Sequence, residues 1–258
     1  MKLKLNQILA AALVAAASVP AMASIAKPST GNGELFLVVW DQVDKVSYVK
    51  DLGIFMDSFN GNADLSYSLN DANFTGFLGM ANTTVSDIKF SVMAGDSGGV
   101  KRLFSTVDSA LTPYGNQNLT DGTAFLNNFT SFQVTESLHT THAGGTAVNG
   151  TSYDTEGKNA YFLTGGYGPN LQTSTMGAWT NSNLVGTSSV FRSFSSVGLA
   201  GGNPTLQSDF LGQWNVTQNN GAWTAAYNVA AIPEPSSIAM MLAGLGVLGF
   251  VARRRRQG

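Results

Sequence analysis

The chain has 258 residues, of which Gly (29), Ser (25), Thr (23) and Asn (21) fill well over a third, while charged residues make up 12% and the formal net charge is −2. That composition disfavours long helices and suits short strands joined by turns, which excludes a coiled coil or helical bundle, and its 26 aromatic residues exclude a largely disordered chain. With no Cys, and with His139 and His142 the only histidines, thiol chemistry, Cys-ligated metals and a His-rich metal centre are excluded too, and no cofactor is expected.

Residues 1–23 have the zones of a secretory signal. Lys2 and Lys4 precede an apolar run from Ile8 to Val19, and Ala21-Met22-Ala23 supplies the small-x-small pattern of a cleavage site. Cleavage by signal peptidase is expected between Ala23 and Ser24. The body would then cover residues 24–231, a size that suits one β domain.

Within the body, Leu35 to Trp40 is apolar throughout and predicts a central strand covered on both faces. Leu65, Tyr67 and Leu69 alternate with serines, and Ile88, Phe90 and Val92 alternate with Lys89 and Ser91, the period-two pattern of strands buried on one side. Asp and Asn residues between Asn60 and Asn73 read as turn formers, since their spacing matches no calcium loop. Phe125, Phe129 and Phe132 predict a helix over 121–133, capped by Thr120 or Asp121, with an aromatic face against the sheet. Residues 163–183 read as loop with short strands. From Gln213 to Val229 the pattern is a hairpin turning at Asn219-Asn220-Gly221, because Asn-Gly tolerates the positive φ angles of a tight turn. The fold class expected is all-β, an antiparallel β-sandwich of jelly-roll type with one short packed helix.

Several motifs suggest chemistry. Gly95-Asp96-Ser97-Gly98-Gly99 matches the pentapeptide around the nucleophile of chymotrypsin-like serine proteases, but both histidines follow Ser97 where that family places its base earlier. It reads instead as a turn between a strand ending near Met93 and one starting at Val100. His139-Thr-Thr-His142 has Glu136 as its one close acid and reads as a pair of surface histidines rather than a metal site. Six Asn-x-Ser/Thr sequons occur where composition alone gives roughly four. Thr173-Ser174-Thr175 is a single Thr-x-Thr copy, too short to form an ice-binding array. No catalytic, cofactor-binding or metal-binding residue is expected.

The tail, residues 232–258, begins with Ile232-Pro233-Glu234-Pro235-Ser236-Ser237 and continues through Ile238 to Ala252 without a charge to Arg253-Arg254-Arg255-Arg256. Fifteen helical residues rise only about 22 Å against a hydrocarbon core of about 30 Å, so a transmembrane helix needs residues 236–252, snorkelling arginines or a thinned bilayer. The arginine cluster anchors that end in the cytoplasm. Ala243, Gly244, Gly246 and Gly249 let another helix approach closely.

This tail resembles the PEP-CTERM sorting signal of Gram-negative bacteria, in which a Pro-Glu-Pro triplet, a short apolar helix and an Arg cluster follow in order. The resemblance implies recognition near Pro233-Glu234-Pro235 by an exosortase, a membrane-embedded protease or transpeptidase of bacteria that make exopolysaccharide. The module also goes by the name ice-binding protein C-terminal domain, which says nothing of the body. A simple membrane anchor is the alternative. The opening of the body, Gly31 to Asp41 with Ser47-Tyr48 and Asp51-Leu52-Gly53, resembles exported proteins that carry this tail and have no known activity.

Removing the signal and the arginines leaves eight bases against 16 acids, so the body is strongly acidic and nucleic acid is a poor partner. The expected function is a non-enzymatic structural or binding role at the cell surface or in an exopolysaccharide or biofilm matrix, with signal peptidase, exosortase and exopolysaccharide as partners. A carbohydrate-active enzyme using paired carboxylates, or an adhesive or ice-binding module, are the alternatives.

Overall fold

The computed structural model describes residues 25–81, 85–107, 116–137, 139–142, 150–162, 183–197 and 205–229. In chain order these form β1 (Glu34–Asp41), β2 (Val46–Phe55), β3 (Leu65–Ser68), α1 (Ala72–Met80), β4 (Ile88–Asp96), β5 (Arg102–Val107) and α2 (Asn116–Thr135). β6 (His139–Thr140), β7 (Thr151–Thr155), β8 (Ser188–Val197), β9 (Thr205–Asn219) and β10 (Ala222–Val229) complete them. The strands join in one ten-stranded sheet ordered β3-β10-β9-β8-β5-β4-β1-β2-β7-β6. Every neighbouring pair is antiparallel.

β1 is the central strand expected, buried at all eight positions. Leu35, Leu37 and Val39 enter one core and Phe36, Val38 and Trp40 another, as the pleat requires. The first core also holds Trp214 and Val216 of β9 and Trp223, Ala225 and Tyr227 of β10. β10 stands five places from β1 in the sheet, a span of about 24 Å if the sheet were flat. The sheet therefore curls, and its concave face packs upon itself. The all-β antiparallel reading holds, with the layers made by one curled sheet rather than two separate ones.

Two helices cover what the curl leaves open. α1 was not expected from the Asn60 to Asn73 stretch, yet Asp71 caps it by accepting from the N–H groups of Asn73 and Phe74. Asp71 also accepts from the Tyr48 hydroxyl at 2.7 Å and from the Thr151 hydroxyl at 3.0 Å, so one carboxylate ties α1 to β2 and β7. Phe74 of α1 lies 4.9 Å from the Tyr48 ring and 5.5 Å from that of Trp223, bridging the two arms of the curled sheet.

α2 lies on the convex face. It begins at Asn116, five residues before the expected start, so Thr120 and Asp121 lie inside the helix rather than at its cap. Leu119 adds one more turn to the apolar face formed by Phe125, Leu126 and Phe129, and that extra burial carries the helix upstream. Phe129 packs at 5.8 Å on Phe36 and 5.6 Å on Phe162, whereas Phe132, expected on the same face, is only half-buried.

The terminal hairpin forms as expected. Asn220 (φ 50°) and Gly221 (φ 81°) make its two-residue turn, and Ala222 pairs with Asn219. Residues 163–182, including Thr173-Ser174-Thr175, lie outside the described residues, as do the signal and the tail.

Because Phe129 fills a closed layer and Phe132 does not, Phe129→Ala should cost about 3–5 kcal/mol and Phe132→Ala about 1 kcal/mol or less, measured by urea unfolding of the exported chain.

Candidate functional site

The Gly95 to Gly99 pentapeptide forms the end of β4 and the turn into β5. Gly95 and Asp96 still belong to β4, and β5 starts at Arg102, so the turn sits about two residues later than expected. Asp96 accepts from the Gly98 N–H through Oδ1 (2.8 Å) and from Arg102 Nη2 through Oδ2 (2.7 Å). Arg102 also reaches Asp57 at 2.7 Å. The Asp of the motif is thus committed to holding the turn. The Ser97 N–H donates to the carbonyl of Pro28 (2.9 Å), and β1, β2 and β7 separate this part of the sheet from β6, which carries His139.

The two histidines separate. His139 is exposed and stacks on Tyr153 at 4.2 Å, while His142 is buried, contrary to the expectation that both lie on the surface. The neighbouring Thr140 hydroxyl accepts the His142 N–H (3.0 Å), and the chain at Thr141 bonds back to Thr151, which draws the ring inward beside β7. Glu136 accepts from the Asn159 amide at 2.7 Å. Among the described residues no group of three or more His, Asp or Glu is placed to hold a metal ion. Of the sequon residues, Asn73 donates its amide to the carbonyl (2.9 Å) and hydroxyl (3.1 Å) of Thr151.

Sequence reading missed the pair Glu34 and Asp51. The β1–β2 register slips between Leu35 and Phe36, so that Leu35 faces Ile54 while Phe36 faces Asp51. Leu52 and Gly53 form the bulge, and Gly53 takes a left-handed conformation (φ 68°) that a side chain would resist. Asp51 folds back on it, Oδ1 accepting the Gly53 N–H at 2.8 Å. The bulge brings Asp51 beside Glu34 on the α2 side of β1, and the two carboxyls are 0% and 4% exposed. Glu34 Oε2 accepts the Ala26 N–H (3.1 Å), while Asp51 Oδ2 meets no N–H or O–H donor.

Burial pushes both groups up. For Asp51 the adjacent Glu34 charge adds to burial, against the Gly53 N–H, and its carboxyl rises to about 7. For Glu34 the Ala26 N–H and the hydrogen bond from Asp51 oppose burial without cancelling it. Below about pH 7 Asp51 therefore keeps its proton, and a hydrogen bond from it to Glu34 eases the burial of the charge that remains.

Glu34 lines a cavity of about 620 Å³ between the segment Ile25 to Thr30, the Phe55 end of β2 and the last turns of α2. Its walls are mainly apolar, with Ile25, Phe55 and Val134 prominent. The signal for this site was faint, an Asp inside the strand pattern Val46 to Phe55 and a Glu opening an apolar run. Neither announces a partner 17 residues away.

Residues 231–256 match the model of the PEP-CTERM protein-sorting motif. The chain carries a PEP-CTERM sorting tail. The match spans Pro233-Glu234-Pro235 and all of Arg253 to Arg256, and it starts two residues after β10 ends at Val229. PEP-CTERM proteins are exported, anchored at the membrane before processing, and targeted to an exosortase, and the tail gives this chain that route. No curated protein and no solved structure matches the chain. Among the described residues no helix is long and apolar enough to cross a membrane.

Stability should fall as pH rises from about 4 to about 7. In that window the folded state keeps the Asp51 proton that the unfolded chain has released, so the unfolded state gains with each step in pH. Asp51→Asn should flatten this slope and raise the melting temperature above pH 7, as melting curves across the range will show. Ser97→Ala should change no activity of the exported protein, and Ser97 should resist labelling by a fluorophosphonate probe.

Proposed function

We propose that the body is a non-enzymatic surface or extracellular-matrix component, associated with exopolysaccharide or biofilm, that an exosortase releases from its membrane anchor. The observation that carries this reading is the sorting motif joined directly to the final strand, which ties the body to a route of delivery rather than to a chemistry. The acidic charge of the processed body suits a hydrated sugar matrix or divalent cations and opposes anionic partners. Asp96, Arg102 and Glu136 are taken up by structural contacts, and Glu34 and Asp51 press against each other instead of facing across a cleft, which supports a binding or structural role.

On this reading signal peptidase cuts after Ala23, leaving Ser24 as the mature N-terminus. The segment 236–252 holds the precursor in the cytoplasmic membrane, oriented by Arg253 to Arg256. Pro233 and Pro235 keep the triplet out of the helix as an extended strip that a protease groove can take. The destination is the surface or matrix of a Gram-negative cell.

Replacing Pro233, Glu234 and Pro235 by Ala should leave export intact and block processing, so that uncut protein accumulates in the membrane. Apparent mass and location of tagged variants, in a host with and without its exosortase, provide the measurement. Trimming and release of the triple-Ala variant as in the wild type would sink the proposal.

A further inference from the structure

The cavity beside α2 has polar walls of one kind. Glu34 shares the face of β1 that carries Phe36 and Val38, the face turned to α2, and its Oε2 accepts the N–H of Ala26, which also lines the cavity. The carboxyl therefore stands in the wall, with Asp51 beside it. Three hydroxyls line the cavity too, and each has its proton committed: Thr30 donates to the Lys27 carbonyl (2.7 Å), Ser131 to that of Asn127 (3.0 Å) and Thr135 to that of Ser131 (3.1 Å). What these groups keep for an occupant is lone pairs. Lys27 alone of the lining side chains carries a free choice of donors, and it is exposed at the rim.

The charge is equally one-sided. Lys45 pairs with Glu156, Arg102 pairs with Asp57 and Asp96, and among the described residues no ion pair reaches Glu34 or Asp51. Lys50 follows the strand alternation to the opposite face, and α2 brings no charge to the cavity. A buried carboxylate in a mainly apolar enclosure is costly until a cation or a set of donors joins it. The rest of the lining suits an apolar body. Phe55 leaves 37% of its surface uncovered, so a body seated against it, Ile25 and Val134 removes apolar area from water. A volume of about 620 Å³ falls within the range of small-molecule sites.

We propose that this cavity binds a primary ammonium carried on an apolar body, the nitrogen meeting Glu34 and the hydroxyl oxygens while the remainder lies against Ile25, Phe55 and Val134. An ammonium has three N–H donors and no acceptor, the complement of walls that offer acceptors. A fatty acid of the same length meets repulsion from Glu34, and an alcohol brings one donor and no charge. A divalent ion finds no third carboxyl or imidazole among the described residues. The site adds a small-molecule ligand to a body whose delivery route says nothing of one.

The probes are octylammonium, octanol and octanoate, which share a chain and differ in the head, titrated into the exported protein at neutral pH by isothermal calorimetry. Octylammonium should bind at one site and at least about tenfold more tightly than octanol, the factor that about 1.4 kcal/mol of charge-assisted bonding supplies, with octanoate weakest. Glu34→Gln should abolish the preference for the amine while octanol binding holds. Val134→Trp, which fills the cavity from α2, should weaken all three probes, and it tests the site even where Glu34→Gln does not fold. Equal affinity for octylammonium and octanol, or a preference retained in Glu34→Gln, would overturn the proposal. So would octylammonium binding that is not saturable, or that survives Val134→Trp as a general attraction to an acidic surface would.

Discussion

Burying both faces of one strand obliges a sheet to find a layer for each, and β1 makes that demand along its whole length. On one side the demand is met by the sheet itself, which curls until Trp214, Trp223 and Tyr227 reach the face of Leu35, Leu37 and Val39. On the other it is met by α2, whose Phe125 and Phe129 cover Phe36 and whose neighbour Phe162 lies 4.8 Å from Trp40. Aromatic rings suit this task because each buries a large area in a few rigid torsions. The chain has few charged residues to cover a surface, and it uses Asp71, Asp96 and Arg102 chiefly to fasten turns and caps.

The same constraint explains why an acid pair occurs where it does. β1 opens with Glu34, so the first residue of the buried strand is already beneath the cover that Ile25 to Thr30 and α2 provide. The bulge at Leu52-Gly53 then turns Asp51 towards it. Two carboxyls in a low-dielectric site cannot both be ionised at little cost, and a retained proton is the physical answer available to them. The N-terminal segment is bound to Glu34 by backbone and side chain alike, through Ala26.

The sorting tail and the body follow different rules. Recognition of the tail rests on a short linear pattern next to a membrane, and the body enters only by ending close to it, with β10 stopping two residues before the match. A hairpin makes a firm last element, since β10 is paired along all eight of its residues to β9. Any pull transmitted from the tail therefore meets a strand held by a full ladder before it reaches the aromatic core.

Local chemistry was legible wherever one residue decides one conformation. Asn220-Gly221 fixed the hairpin because positive φ angles are costly for most other residues, the alternation of Ile88, Phe90 and Val92 fixed a face because the pleat has period two, and the Pro-Glu-Pro triplet and arginine cluster marked the tail because they act in linear order. The additional helix escaped because Asp71 caps as readily as it turns, and the choice was made by Tyr48 and Thr151 waiting to receive it. The burial of His142, the half-exposure of Phe132 and the meeting of Glu34 with Asp51 depended on which surfaces the curled sheet brought together. A residue's own chemistry sets what contact it can make, but burial and pKa belong to the neighbours, and those are chosen by register, bulge and curl.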